Sequence, residues 1–185
     1  MKFYIIILLF FVHCISLKSQ CSVDSFTVTV LTTNGDPMAN VKITILGNSP
    51  QVTVLTDANG KAVIGNDACV SISLSLSREI DYIEGVTTLD LVRISRHILR
   101  QKPFTNKYNL IAADANNDGR ITASDLTDLR KLILGITTEL PKNESYKFIW
   151  ESDKHQNYNF SSLKDIIANN NINIYFVKIG DISVE

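Results

Sequence analysis

Residues 114–125 read D-A-N-N-D-G-R-I-T-A-S-D and carry oxygen-bearing side chains at a regular spacing. Counted from Asp114, these side chains fall at positions 1, 3, 5, 9 and 12, and a glycine at position 6 permits a sharp turn. Ca²⁺ is a hard cation that takes about six to eight oxygen ligands. The complete spacing, followed by an apolar helix pattern, favours a calcium loop over an ordinary polar turn. The predicted ligands are Asp114, Asn116, Asp118, Arg120 through its carbonyl, Thr122 and Asp125.

An apolar helix pattern follows this loop and also occurs earlier in the chain. Leu126, Leu129 and Ile133 have helical spacing, and Gly135 is the predicted C-cap. Residues 90–100 repeat the pattern of residues 125–135 at a shift of 35 positions. The sequence therefore predicts a duplicated loop–helix unit, with helices over residues 91–99 and 125–134.

Two further expectations follow from the duplication. Val86 and Ile121, at position 8 of the two loops, should make a short two-stranded contact between the loops. Pro103 is expected to end the first helix.

The first copy of the loop departs from the calcium pattern. Position 5 is Ile83, which cannot ligate a metal ion, and the glycine is displaced by one residue to Gly85. We therefore predict one well-formed calcium site and a weak or vestigial second one. The ligands left to the weak site are Glu79, Asp81, Thr87 and Asp90.

A duplicated calcium loop with Asp at position 12, each copy leading into one helix, resembles the type I dockerin domain over residues 79–137. The resemblance implies an antiparallel helix pair, bound Ca²⁺ and docking onto a cohesin domain of another protein. It also implies that five helix positions in each copy contact the partner. These are Thr88, Leu89, Ser95, Arg96 and Arg100, and then Ala123, Ser124, Arg130 and Lys131, with Gly135 at the last position.

The first 20 residues have the form of a secretory signal peptide. Lys2 precedes an apolar run of about ten residues, which is too short to span a bilayer, and polar residues follow. We therefore expect a secreted, extracellular or cell-surface protein. Cys21 and Cys69 would then form a disulfide bond in an oxidising compartment. A lipid anchor on Cys21 is the less favoured alternative, because residues 18–20 are a poor approach to such a site.

The two flanking parts of the chain read mainly as β-strands. Residues 21–77 contain about five short alternating strands separated by Asx/Gly turns, which predicts an antiparallel β-sandwich. This part resembles the carboxypeptidase-regulatory-like or transthyretin-like family, and the combination is similar to secreted Bacteroidetes proteins. Residues 138–185 are predicted to form strands at 145–150 and 173–182 and a helix at 161–168, packed on one of the domains. The expected fold class is α+β in several parts.

Composition and motifs argue against several function classes. The chain of 185 residues has a net charge of −1, which argues against nucleic-acid binding. It lacks the common catalytic motifs of hydrolases, phosphate-binding enzymes and metalloproteases, so we expect no enzyme. The favoured function is a calcium-dependent docking module in an extracellular assembly of the polysaccharide-degrading kind. Its helix pair would present a basic face to the partner, formed by Arg93, Arg96, Arg100, Arg130 and Lys131. The alternatives are a structural block whose calcium unit docks intramolecularly, and a small carbohydrate-binding protein that uses Trp150.

Overall fold

The computed structural model describes residues 25–46, 51–65, 73–150 and 171–182, which form an α+β fold with two sheets and three helices. The predicted signal peptide, Cys21, Cys69 and the predicted helix 161–168 lie outside these residues. None of the described helices is long and apolar enough to cross a membrane. The strands are β1 (Ser25–Thr32), β2 (Lys42–Leu46), β3 (Val52–Leu55), β4 (Lys61–Gly65), β5 (Ser73–Ser77), β6 (Tyr146–Trp150) and β7 (Asn171–Lys178). The helices are α1 (Thr88–Ile98), α2 (Lys107–Ala113) and α3 (Ala123–Ile133).

The strands form a four-stranded sheet in the order β4-β1-β7-β6 and a three-stranded sheet in the order β3-β2-β5. All pairings among β1 to β5 are antiparallel, as the alternating pattern predicted for this part of the chain. The pairing of β1 with β7 is parallel, which the sequence did not predict. A parallel pair requires a long crossover, and the helices and β6 lie within it along the chain. The four-stranded sheet is therefore mixed.

The two sheets share one hydrophobic core. Alternation along β1 buries Phe26, Val28 and Val30, and side chains from β2, β4, β5, β6 and β7 join the same cluster. The turn at Asp57 connects β3 to β4, which belong to different sheets, so this turn does not form a hairpin. Its carboxylate accepts hydrogen bonds from the backbone N–H groups of Asn59 and Lys61, both at 2.8 Å. The bond from Lys61 is the main cause of the lowered pKa of Asp57.

A second core lies among the helices. Ile94 of α1 and Leu129 of α3 are fully buried in it, and α1 and α3 contact one another. Helix α2 was not predicted, because its short apolar run has no clear period. Its start is fixed by Asn106, whose side chain accepts a hydrogen bond from the N–H of Tyr108 at 2.9 Å. The second core therefore contains three helices, where the sequence indicated two.

The two repeats end their helices in the same way. After α3, Gly135 has φ +66° and donates to Leu132 O at 3.0 Å, while the next N–H donates to Lys131 O at 2.9 Å. After α1, Arg100 has φ +57° and its N–H donates to His97 O at 2.9 Å, the equivalent bond. Both ends are Schellman motifs. Helix α1 therefore ends before Pro103, and the prediction that the proline ends it is wrong.

The left-handed conformation of Arg100 gives a paired prediction. A non-glycine residue there costs about 1–2 kcal/mol. We expect Arg100→Gly to raise the free energy of unfolding by about 0.5–1 kcal/mol, and Gly135→Ala to lower it by about 1 kcal/mol. A Cβ on Gly135 meets no atom within 4 Å, so the second change tests conformation alone. Urea denaturation of both variants checks the pair, and a loss of stability in Arg100→Gly would contradict it.

Strand β7 belongs to both cores. Ile172, Ile174 and Phe176 face the core between the sheets, whereas Val177, Ile179 and Ile182 belong to the helical core. Residues 177–182 therefore run from the sheet into the space beside the calcium-type loops. This short segment contacts the first loop, as described next.

Candidate metal centre

Hydrogen bonds hold the second loop, residues 114–125, in a closed turn. One Asp114 oxygen accepts from the N–H of Asp118 at 3.1 Å, and the other accepts from the N–H of Gly119 at 2.9 Å. The same N–H of Asp118 also lies 3.1 Å from the side-chain oxygen of Asn116. Asn117 and Gly119 have φ values of +55° and +80°, which turn the chain sharply at positions 4 and 6. The side chains at positions 1 and 3 thus share one side of the loop.

Asp125 connects the end of the loop to its beginning and to α3. Its side chain is fully buried, and Oδ1 accepts from the N–H of Asn116 at 3.1 Å. Oδ2 accepts from the N–H of Thr122 at 2.8 Å, which closes a capping box at the start of α3. The hydroxyl of Thr122 accepts from the N–H of Ser124 at 3.2 Å, so this predicted ligand also serves as the helix N-cap. Side-chain bonds to backbone N–H groups therefore connect loop positions 1 and 3 to position 5, position 12 to position 3, and position 12 to position 9.

The residues of this loop fit Ca²⁺ by their chemistry. Three carboxylates, one amide oxygen, one hydroxyl and one backbone carbonyl form a set of hard oxygens. No three His, Cys, Asp or Glu side chains in the described part of the chain form a ready-made metal cage. Three of the six predicted ligands, Asn116, Arg120 and Thr122, are not His, Cys, Asp or Glu. The three loop carboxylates accept hydrogen bonds from backbone N–H groups. The predicted ligands lie along one closed loop, and Ca²⁺ accepts oxygen ligands in a flexible geometry.

Two residues outside the loop bind it: one precedes β6 and the other lies in β6. The side-chain N–H of Asn143 donates to the carbonyl of Asp114 at 2.8 Å, and the ammonium of Lys147 donates to the side chain of Asn117 at 2.7 Å. Burial lowers the pKa of Lys147, while the carboxylates of Asp114 and Glu144 act in the opposite direction. The calcium-type loop is therefore attached directly to the four-stranded sheet.

The first loop has a different set of partners. Asp90, the equivalent of Asp125, is buried, and its Oδ2 accepts from the N–H and the hydroxyl of Thr87 at 2.8 and 2.7 Å. Its Oδ1 accepts from Arg93 at 3.0 Å and from the N–H of Ile182 at 3.1 Å. Asp81 holds the N–H of Ile83 only weakly, at 3.4 Å. Glu79 is exposed. Of the four predicted residues, only Thr87 and Asp90 are joined by side-chain hydrogen bonds.

A buried lysine lies against this first loop. The ammonium of Lys178 donates a hydrogen bond to the carbonyl of Tyr82. Burial lowers the pKa of Lys178 to about 8, and the carboxylates of Asp181, Glu84 and Asp81 act in the opposite direction. Lys178 therefore carries its charge at neutral pH. Burial and the nearby charge of Asp90 raise the pKa of Asp181.

The backbone bridge predicted between Val86 and Ile121 is not formed. The isolated bridge of the described residues joins Leu31 and Pro37 instead. Val86 is buried in the helical core and lies close to Gly180, where an added Cβ would come within 3.1 Å of it. The C-terminal segment thus occupies the space beside the first loop that the bridge was expected to fill.

The residues predicted to contact a partner lie mainly on the exposed side of α1 and α3. Ser95 is half-buried and its hydroxyl donates to the carbonyl of Leu91 at 2.7 Å. Arg93, assigned to the same basic face, instead contacts Asp90 and the carbonyl of Ile182 at 2.9 Å. The exposed members are Thr88, Leu89, Arg96, Arg100, Ala123, Ser124, Arg130 and Lys131.

Apolar side chains accompany these polar ones on the helix pair. Leu99 and Leu134 occupy equivalent positions in the two repeats, and each is 65% exposed. Leu89, Val92 and Ile136 are also exposed. Exposed large apolar side chains beside basic ones are a feature of surfaces that bind protein. We refer to Leu89, Val92, Leu99, Leu134 and Ile136, with the exposed basic residues above, as the outer helix face.

His97 and Trp150, whose side-chain types occur in catalytic and carbohydrate-binding sites, make structural contacts here. His97 stacks on Phe104 with ring centroids 4.5 Å apart, and its Nδ1 accepts the N–H of Phe104 at 2.9 Å. His97 therefore fixes the turn after α1. Trp150 is partly buried and packs against the core between the sheets. His155 lies outside the described residues.

Sequence reasoning missed Asn143, Lys147 and Lys178. The first two lie more than a dozen residues beyond the loop motif, where no spacing rule indicates them. Lys178 could have been noticed, because it is a single charged residue within the apolar run of residues 174–179.

The comparisons with known proteins agree with this site. The family model of the dockerin type I domain matches residues 84–134, which include the whole second loop and α3. The match begins inside the first loop, after its first five positions. Type I dockerin domains bind calcium, and the cofactor of this segment is accordingly Ca²⁺. The searches of curated proteins and of solved structures found no match.

Proposed function

We propose that this chain is a secreted, non-catalytic module in which one calcium ion orders residues 114–125 and the outer helix face docks onto another protein. The observation that carries the proposal is the closed second loop, whose carboxylates connect the loop to the start of α3. The dockerin match over residues 84–134 supports the same assignment.

The residues of the second loop would hold the ion together with the helix. Asp114, Asn116, Asp118 and Asp125 would supply side-chain oxygens, Arg120 its carbonyl, and Thr122 its hydroxyl directly or through water. The ion would neutralise three carboxylates that otherwise repel one another within a single turn. Because Asp125 also caps α3, an ordered loop fixes the start of this helix. Folding and calcium binding should therefore be coupled.

Calorimetric titration of residues 21–185 with calcium tests the metal site. We expect one tight site, lost in Asp118→Ala and retained in Asp81→Ala, with a melting temperature that falls when the ion is chelated. Asp118 is the matched choice because its oxygen holds only the N–H of Arg120, so its loss leaves the loop closure at Asp114 and Asp125 intact. No binding at millimolar calcium would overturn the proposal.

The partner that the dockerin match indicates is a cohesin-like domain, since dockerins bind cohesins. The outer helix face supports this, because the described parts of the C-terminal segment pack on the buried side of the helices and leave that face exposed. Its basic and apolar composition fits a partner surface that combines acidic and apolar groups. The assembly would be extracellular, and the polysaccharide-degrading context comes from the sequence resemblance alone.

The second candidate is a structural block in which the calcium unit docks within its own chain. The observation in its favour is that residues 177–182 belong to the helical core while β7 pairs with β1. Titrating type I cohesin domains onto the calcium-loaded protein separates the two. If the chain docks, cohesin should bind, and Leu99→Asp should weaken the affinity at least ten-fold. Val63→Asp, at an exposed position of the sheet, should leave the affinity unchanged. Absence of binding across such domains would favour the structural block.

Trp150 packs against the core, so the carbohydrate-binding hypothesis has the least support.

A further inference from the structure

The first loop is packed against the C-terminal end of β7. Ile182 donates its N–H to Oδ1 of Asp90 at 3.1 Å. In the second loop the equivalent oxygen, Oδ1 of Asp125, accepts instead from Asn116, the residue at loop position 3. The C-terminal segment has therefore taken over a hydrogen bond that the second loop makes within itself.

Positive charge reaches the first loop from two side chains. The ammonium of Lys178 bonds the carbonyl of Tyr82, at loop position 4, and lies near the carboxylates of Asp81 and Glu84. On the other side, the guanidinium of Arg93 joins Oδ1 of Asp90 to the carbonyl of Ile182, at 3.0 and 2.9 Å. Two of these carboxylates, Asp81 and Asp90, are among the predicted ligands of the weak site, so the two cations lie close to groups that a metal ion would otherwise neutralise.

The fit of the segment to the loop is close. A Cβ built on Gly85 would lie 2.7 Å from a carboxylate oxygen of Asp181. A Cβ on Gly180 would lie 2.7 Å from Leu129 and 3.1 Å from Val86. Ser145 adds a hydrogen bond from its hydroxyl to the carbonyl of Asp81 at 3.2 Å. Both glycines also have positive φ. A residue with a side chain would therefore be disfavoured at either position, both by its backbone conformation and by the close contact.

We propose that residues 178–182 act as a built-in substitute for calcium at the first loop, so that this loop is closed by the chain's own cations and N–H groups. Ile83 at position 5 is then tolerated, because no metal has to be bound there. The inference rests on the proposed function for the second loop and extends it, since it assigns the positioning of the first loop to Lys178 and Arg93. The protein would thus need one ion where a symmetric pair of loops would need two.

The test combines ion counting with hydrogen exchange on residues 21–185. Calorimetry should find one calcium ion per chain. In saturating calcium, Lys178→Met should speed amide exchange at Val86 and Ile182 about ten-fold or more, with the calcium affinity of the second loop changed less than two-fold. Lys147→Met is the matched control, since it removes a lysine that contacts the second loop, and should leave those two amides unchanged.

Each result decides a separate claim. Two calcium ions per chain, with the second lost in Asp81→Ala, would overturn the substitution while leaving the calcium module standing. No calcium binding would overturn the proposed function, and the exchange rates would still report on Lys178. Unchanged exchange at Val86 and Ile182 in Lys178→Met would also overturn the substitution. If Lys178→Met does not fold, the number of calcium ions bound by the wild-type chain decides whether the substitution holds. Lys178→Arg, which retains a cation, is then the second variant for hydrogen exchange.

Discussion

Asp125→Ala should abolish calcium binding and lower the free energy of unfolding by about 4 kcal/mol or more when calcium is a thousand-fold above its dissociation constant. The carboxylate is fully buried and serves the loop and the helix together. Its loss leaves the N–H groups of Asn116 and Thr122 without their acceptor, which adds about 1–3 kcal/mol for the buried N–H of Asn116 and less for the partly buried N–H of Thr122. The melting temperature should fall by roughly 10 °C or more.

Thermal unfolding in calcium and in chelator measures this effect. The variant should melt at the same temperature in both solutions, whereas the wild-type protein should not. Asp128→Ala is the control, because Asp128 lies on the same helix, is outside the predicted ligand set and forms a long ion pair with the exposed Lys131, at 3.9 Å. A pair that is open to solvent on one side contributes about 1 kcal/mol or less. A calcium-dependent melting temperature in Asp125→Ala would show that position 12 does not hold the ion.

Residues 79–137, expressed as an isolated polypeptide, should remain largely unfolded even with calcium. This polypeptide lacks Val177, Ile179 and Ile182, which are 0–1% exposed in the helical core, and it lacks Leu140. Each fully buried aliphatic side chain contributes about 1.5–3 kcal/mol. Their sum approaches the whole stability of a small domain, which is about 5–15 kcal/mol.

Circular dichroism and one-dimensional NMR of the isolated polypeptide, compared with residues 21–185, test this expectation. Within the longer chain, Ile179→Ala should cost about 2–5 kcal/mol, because it empties a fully buried position. Ile136→Ala, at a position that is 67% exposed, should cost less than about 0.5 kcal/mol. Cooperative, calcium-induced folding of residues 79–137 alone would show that the C-terminal segment is dispensable.

The parts of the fold that local chemistry determines could be predicted from the sequence. The spacing of residues 114–125 predicted a closed loop, and Thr122 and Asp125 close it through bonds within ten residues. The helix after this loop begins two residues earlier than predicted, because Thr122 is its N-cap. The alternating strands of the first part also lie where the pattern indicated, since alternation reports directly on a half-buried strand.

Long-range pairings could not be predicted, because nothing local encodes them. The pattern of residues 171–178 indicated a strand but not that it would pair in parallel with β1. Similarly, the missing ligand at Ile83 indicated a weak first site, but the sequence did not reveal that Arg93 and Lys178 supply charge there. Arg93 was read as part of an outward basic face, since helical spacing alone does not show which neighbour a side chain meets.

The parallel pairing of β1 and β7 has a consequence for the order in which the chain folds. Thr27 pairs with Asn171, so the middle of the four-stranded sheet closes only after nearly the whole chain is available. Contacts between such distant residues slow folding, because a long loop must close before the contacts stabilise it. Until then β1 has one unpaired edge, which is open to association with other chains. Folding intermediates that have made β1 and β4 but not β7 should therefore be the species most prone to aggregation.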